Sequence, residues 1–498
     1  MVVFCTTVAV SALAIGQVST IAADISLHAA PSKFLRKVPP SGAQTILVIG
    51  DDHSGPYDPQ CACHLLHADT FMLVHLDPHD GQTSIMSIPR DLLVNFTWKG
   101  VSYTDQKFNS AYAVGETPGN GNDQLVLKVA GHLLPGVAIN HYVDINFDAF
   151  IGVVRAIGCV YVDVDHRYLN NQDPSYQPIN LQPGYQKLCA EPALSYVRYR
   201  HDDSDFVRVA RQADFVRQAK EQLGLFNLAF KLDSIAKAFG QAIRTDITGV
   251  RTVTSLLELV AFSQSKPIRD VPFLYSNADY QVATTSGVED YVTSTPQLIA
   301  RSTHDFLDEN PMAAPPPATG SSAARPAHHA HHQHSSARQA PLTQAQELAA
   351  LDLYPFPAGP GGVLSQALAM SPYVPFPIYL PTVQTGPAMP NDFHPYKVAD
   401  EQGNEHSGYR IDWYTGTAGE YYGIEGMNWT DPPLFANSSF TDRIGGRSYI
   451  FVDDGAHYHD IGWRVGNVLY WVSNTLNEDL TNAQMLNLAE TAHPITSR

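Results

Sequence analysis

Between residues 45 and 165, short β-rich apolar runs alternate with stretches of helical spacing, and this alternation constrains the fold more than any other feature of the chain. TILVIG (45–50), DTFMLVHLD (69–77) and TSIMSIP (83–89) are strand-like runs bounded by turn residues. Residues 123–134 (DQLVLKVAGHLL) and 148–157 (DAFIGVVRAI) have helical spacing, with Asp123 and Asp148 at the expected N-caps. HYVDINF (141–147) and CVYVDVD (159–165) flank the second helix as strands. The alternation predicts an α/β domain in which helices cover a sheet.

At 498 residues the chain exceeds one hydrophobic core, so two domains and a linker are expected. The first domain is placed at residues 41–305 and the linker at 306–392. The heart of the linker, 311–341 (PMAAPPPATGSSAARPAHHAHHQHSSARQAP), is low-complexity and is expected to be an extended tether between separable units. Its five histidines read as part of a polar spacer more simply than as a metal site. The second domain, 393–498, holds Trp413, Trp429, Trp463 and Trp471. Its runs YRIDWYT, GRSYIFVDD, HYHDIGWRV and NVLYWVSNT predict antiparallel strands, with a turn at Asp453-Asp454-Gly455 and a final helix at 482–492. A small α+β domain follows, its aromatics forming the core of the sheet or, alternatively, a platform for sugar rings.

Residues 2–23 contain no charged side chain and as a helix would span roughly 33 Å, about a bilayer core. They are expected to be a membrane anchor, with a signal peptide ending near Ala22 and Ala23 as the alternative. The first cation is Lys33, so a basic tail upstream of Met1 is expected. Five cysteines suit an exported protein. Cys159 and Cys189 flank an irregular Pro-containing stretch, the kind of loop a disulfide ties down, with a gain of roughly 3–4 kcal/mol in the chain-entropy model. Cys61 and Cys63 are too close for an unstrained bridge, and with His64 and His67 they form a weak metal motif at best.

The net charge of −18 excludes a general nucleic-acid binder, which needs a basic face. Against that background Arg198, Arg200, Arg208, Arg211 and Arg217 crowd into 20 residues. Arg198 and Arg200, two apart in an extended segment, would point the same way. Asp205 then opens a helix on which Asp205, Arg208 and Gln212 share a face flanked by Arg211, while Phe206, Val209, Ala213 and Val216 face the core. Guanidinium forks match phosphate oxygens, so this stripe is suited to a pyrophosphate. A salt-bridged solvated helix would explain the run alone. It does not explain the run together with Arg90 in Ser87–Asp91, Lys107 in KFNSAY, and Asp52 and Asp69 at strand ends, where hard oxygens suit Mg²⁺ or Mn²⁺.

Taken in order, LVIGDD, ADTFMLVHLDP, SIMSIPRD, KFNSAYAVGE, INHYVDINFDAF, IGCVYVDVD and ALSYVRYRHDDSDFVRVARQ resemble the LytR-CpsA-Psr family of cell-envelope glycopolymer ligases over roughly residues 45–220. The Trp-rich domain is similar to an appendage of some actinobacterial members. The resemblance implies an α/β/α sandwich with a hydrophobic pocket for a polyprenyl chain beside a pyrophosphate site. It implies Asp52 and Asp69 as metal ligands. Arg90, Lys107, Arg198 and Arg200 would grip the pyrophosphate with support from Arg208 and Gln212, and Asp205 would help activate the incoming hydroxyl. His67 departs from the arginine of many members. The implied reaction joins a glycan carried on polyprenyl pyrophosphate to a peptidoglycan hydroxyl outside the cell membrane. A lipid pyrophosphatase and a non-catalytic envelope regulator are the rival expectations.

Overall fold

The computed structural model describes residues 30–52, 67–114, 121–171, 178–200, 204–222, 243–307, 343–356 and 362–495, except 31, 40, 80, 264–265 and 285–286. The expected anchor, Cys5, Cys61, Cys63 and the stretch 311–341 lie outside the described residues. Among those described, no helix is long and apolar enough to cross a membrane.

The N-terminal unit is built on a six-stranded mixed sheet. Its strands are β1 (Gln44–Asp51), β2 (Ala68–Leu76), β3 (Thr83–Ser87) and β4 (Ile139–Ile145). A pair outside this sheet, β5 (Val160–Val164) and β6 (Gly184–Leu188), comes next, then the edge strands β7 (Ile243–Thr245) and β8 (Ile268–Asp270). The sheet order is β7-β4-β1-β2-β3-β8. Side chains alternate across a strand, so Leu47, Ile49, Phe71, Leu73 and Met86 pack one face against α1 (Asp123–Leu133) and, late in the chain, the helix Pro296–Leu307. Met72 and Ile85 face the other way, onto Ala213. The result is the expected α/β/α sandwich.

The helices between these strands are α2 (Phe147–Ile157), α3 (Ala190–Arg198) and α4 (Asp205–Gln222). The caps of α1 and α2 are Asn122 and Asn146 rather than the expected aspartates, each accepting a backbone N–H from three residues on. Cys159, just after α2, is bonded to Cys189, just before α3, with Cα atoms 4.5 Å apart.

The C-terminal unit is a seven-stranded antiparallel sheet. It comprises β9 (Met389–Ala399), β10 (Glu405–Tyr414), β11 (Tyr421–Met427), β12 (Phe440–Ile444), β13 (Arg447–Asp453), β14 (Tyr458–Val465) and β15 (Val468–Ser473), in the order β9-β10-β11-β15-β14-β13-β12. Trp413, Trp463 and Trp471 are fully buried, so these rings are core and not a sugar platform. Helices Val363–Met370 and Asn482–Thr491 cover one face of the sheet.

Two expectations about the linker change. Leu353, Val363, Ala367 and Tyr379 are part of the C-terminal core, so the described residues from 343 onward belong to that unit and not to a tether. Nor are the units separable in their packing, because Tyr161 and Tyr185 share a core with Met427, Leu469 and Trp471. That contact also alters α4. Its buried apolar residues are Val207, Ala210, Ala213 and Phe215, Val216 is exposed, and Arg211 and Arg217 are buried. The helix is covered on more sides than a two-faced surface helix.

Candidate active site

The candidate site forms where the central strands end. Gly50 pairs with Thr70 but Asp51 with Ala68, which leaves Asp69 as the extra residue of a β-bulge. A bulge re-aims a side chain while the strand continues, and here Asp69 meets the arginines. Arg90, just beyond β3, donates from Nη1 to Asp69 Oδ1 at 2.5 Å. Its Nε lies 3.3 Å from Asp91 Oδ2 and 3.4 Å from Asp205 Oδ1. Asp205 opens α4, and one turn later Arg208 reaches back to it at 2.5 Å while donating to the Asp69 carbonyl at 3.2 Å. Lys107, closing the hairpin Leu93–Trp98/Val101–Lys107, sits 3.0 Å from Asp91.

The two outer carboxyls are driven in opposite directions. For Asp69, burial works against its charge, but Arg90, Arg208 and Arg198 outweigh it and hold the carboxyl below its ordinary range. For Asp205, burial wins over Arg208 and Arg90, so its carboxyl sits above that range. Burial likewise opposes the charge of Arg90, yet Asp69, Asp205 and Asp91 keep it protonated. Neighbouring carboxyls set apart in this way are suited to different roles.

Not every sequence-predicted residue lies as expected. Arg198 is the last residue of helix α3, not part of an extended segment; its guanidinium stacks 3.9 Å from the Phe147 ring centre while its charge acts on Asp69. Arg200, two residues on, is exposed. Arg211 does not flank a ligand surface. It is fully buried, donates to Tyr168 Oη at 3.0 Å and to the Tyr199 carbonyl at 2.8 Å, and lies among three tyrosine rings. Gln212 is half-buried and holds the Val197 carbonyl at 3.1 Å and the Thr70 hydroxyl at 3.2 Å. Arg211 and Gln212 therefore support the arginine-bearing turn from behind.

Asp69 is paired with Arg90, and Asp52 lies 3.6 Å from His67 Nδ1 and accepts the His67 backbone N–H at 2.8 Å. The donor set still fits a Mg²⁺ ion. Both side chains stay partly open, 28% and 42% exposed, and both offer hard oxygens. Two carboxylates suffice where substrate phosphates and water complete the shell. Among the described residues, three metal-ligating side chains converge at Asp454, His457 and Glu478 in the C-terminal unit, where His457 is paired to both carboxylates.

Sequence reasoning missed two groups. Asp91 bridges Arg90 and Lys107; its place directly after Arg90 was the available signal. Beneath these residues the Tyr112 hydroxyl lies 2.8 Å from Asp51 Oδ2 and 2.9 Å from Asp144 Oδ2, and Arg244 reaches Asp123 at 2.9 Å and also Asp144. Burial pushes Asp144 up to about 8. Tyr112 lay inside a noted motif, whereas Arg244 lay in none.

Comparison with known proteins bears on this site. The profile of the LytR_cpsA_psr family matches residues 15–303. A polyisoprenyl-teichoic acid–peptidoglycan teichoic acid transferase, TagU of Halalkalibacterium halodurans, is 32% identical over 190 residues, covering 37% of this chain and 56% of that protein. TagV of Bacillus subtilis, which bears the same transferase name, is 30% identical over 183 residues, covering 36% of this chain and 45% of its own. The chain thus spans about half the length of these curated relatives. A crystal structure of B. subtilis TagV, 24% identical, covers 53% of this chain and 96% of that one with a TM-score of 0.42. Another solved structure, TagT bound to LIIa-WTA, is 20% identical, covers 54% and 92%, and has a TM-score of 0.39. The fold assignment rests on the sheet order above.

Proposed function

Because the chain belongs to the LytR_cpsA_psr family, we propose that it transfers a glycopolymer from a polyprenyl-pyrophosphate carrier to a peptidoglycan hydroxyl and releases polyprenyl phosphate. The observation that carries this reading is the network of Arg90, Arg208 and Lys107 held by Asp69, Asp91 and Asp205, with the Asp69 side chain 42% exposed. Each cation is paired with a carboxylate that a phosphate oxygen can replace. Charge-assisted bonds from guanidinium to phosphate are strong and directional.

In the proposed reaction an acceptor oxygen attacks the phosphorus next to the glycan. The bond from that phosphorus to the bridging oxygen breaks, and the electron pair leaves with polyprenyl phosphate. Asp205, whose carboxyl burial raises, takes the acceptor's proton. Arg90 and Arg208, with Arg198 and Arg200, steady the charge growing on both phosphates. Asp52 and Asp69 would hold Mg²⁺ or Mn²⁺, which would supply further charge neutralisation on the phosphates. The chain would act outside the cell membrane, anchored by residues 2–23, and would need no nucleic acid.

Product analysis tests the proposal. Given a short glycan on polyprenyl pyrophosphate and a peptidoglycan fragment, the enzyme should yield a phosphodiester-linked conjugate and polyprenyl monophosphate. Monophosphate without conjugate would make it a hydrolase, and lipid binding without cleavage would make it a regulator.

A further inference from the structure

The C-terminal sheet reaches into the N-terminal unit through the buried side chains of Arg410 and Trp471. Arg410 projects from β10 with no exposed surface. Its Nη1 donates to Asp163 Oδ1 at 2.9 Å, to Ser473 at 3.1 Å and to Glu425, and its Nε donates to the Asp165 carbonyl at 2.9 Å. Trp471 Nε1, from the same sheet, takes the other Asp163 oxygen at 3.1 Å. Both oxygens of a buried carboxylate on β5 are thus satisfied by the C-terminal unit.

From that point two structural routes lead to the cleft. The first runs through the loop after β5. Asp165 accepts from the Tyr168 hydroxyl, the same hydroxyl accepts from Arg211, and Arg211 holds the carbonyl of Tyr199, the residue between Arg198 and Arg200. His166 in this loop stacks on Tyr421 of β11 with ring centres 4.1 Å apart. The second route is α4 itself, an 18-residue rod of roughly 27 Å. Its first turns carry Asp205, Arg208 and Gln212. Its last turns are fastened to β5, where Gln218 and Gln222 accept the backbone N–H groups of Asp163 and Tyr161 at 3.1 and 2.8 Å. The C-terminal unit also clasps the end of α4 directly, Asn437 donating to the Glu221 carbonyl at 2.6 Å.

We infer that the C-terminal unit completes the catalytic site, with Arg410 as a positioning residue that sets the Val197–Arg200 turn and helix α4 through Asp163 and Asp165. This rests on the transfer reading above. Arg410 touches no reacting atom; it fixes where the phosphate-gripping arginines stand. A displacement of about 1 Å in such groups is worth roughly 100-fold in rate. The unit therefore supplies geometry to the cleft from its far side.

The test uses the full-length chain. Arg410→Met alone strands two buried carboxylates and risks misfolding. The decisive variant is Arg410→Met/Asp163→Asn/Glu425→Gln, which removes the charges together; Tyr421→Leu, which spares the ion cluster, is the second. Folding is checked by melting, kcat and KM by transfer, and hydrogen exchange by mass spectrometry across 197–212. Both variants should stay folded. The triple variant should lose about 30-fold in kcat with KM within about threefold, and exchange faster at 197–212 but not at 44–51. Tyr421→Leu should shift the same readouts by a smaller factor. Normal kcat with faster exchange, or reduced kcat with unchanged exchange, would each overturn the inference. If the wild-type chain transfers nothing, the transfer reading fails, and exchange together with inorganic pyrophosphate binding still decides this one. Wild-type values of both in the folded triple variant would refute it.

Discussion

Two clusters of arginine and carboxylate sit near opposite ends of α4, one with two arginines and the other with one. At the cleft, Arg90 and Arg208 meet Asp69 and Asp205, with the Asp69 side chain 42% exposed. At the joint, Arg410 meets Asp163 and Glu425, with those side chains at 1%, 7% and 0%. Arginine among carboxylates becomes a binding site where water reaches it, because an incoming phosphate can exchange with a carboxylate that water then solvates. Sealed from water, the same groups cannot exchange partners, and removing one leaves an uncompensated buried charge. Solvent access at Asp69, rather than residue type, separates the two clusters here.

That contrast can be broken experimentally. The largest effect is expected from metal removal. A chelator should bring transfer to background and Mg²⁺ or Mn²⁺ should restore it, while the melting temperature of the protein stays put. A large fall in melting temperature would place the ion in the architecture instead of the cleft. Next comes Arg90→Ala, expected to slow transfer by about 10²–10³-fold with folding retained. Near-normal turnover in a folded variant would remove Arg90 from the site.

Asp163→Ala sharpens the contrast from the other side. It leaves Arg410 with Glu425 as its remaining carboxylate and should cost about 3–5 kcal/mol in urea unfolding. A loss below about 1 kcal/mol would mean that water already reaches the joint.

The smallest effect is in pH. Glu478 outweighs burial at His459 and lifts it to about 9, whereas burial lifts Asp460 to about 7. A histidine raised above its ordinary 6.5 stabilises fully below that value and loses the contribution as pH rises through 9. The raised Asp460 has the same sign, its contribution fading as pH climbs from its ordinary range through 7. Asp69, lowered by Arg90 and its neighbours, has the opposite sign and weakens the cleft only as pH falls. Between pH 6.5 and 9.5 melting should therefore drop by roughly 2 °C, and His459→Gln should flatten the slope. An unchanged slope would show that His459 carries no charge at the joint.

Much of this was legible in the sequence because it depends on local pattern. Apolar runs bounded by turn residues marked β1, β2 and β3, and helical spacing marked α1 and α2. The crowding of Arg198, Arg200 and Arg208 around Asp205 marked the segment that the fold brings beside Asp69 and Arg90. Arg211 was misassigned for a definite reason. On a helical wheel it stands beside Arg208, and the wheel does not show that Tyr168 and Tyr199 close over it. The same limit applied to Val216, whose exposure depends on what packs against it.

Alternation, turn residues and charge crowding are properties of neighbours along the chain, and they sufficed for the α/β/α layering and the antiparallel C-terminal sheet. Partners remote in sequence were decided only by the fold. The bulge that turns Asp69 toward Arg90 arises from the register of two strands. Arg410 and Asp163 are separated by 247 positions and meet because two hydrophobic faces, one on each unit, exclude water between them. Burial is a property of the assembled core, and burial is what makes one cluster exchangeable and the other fixed.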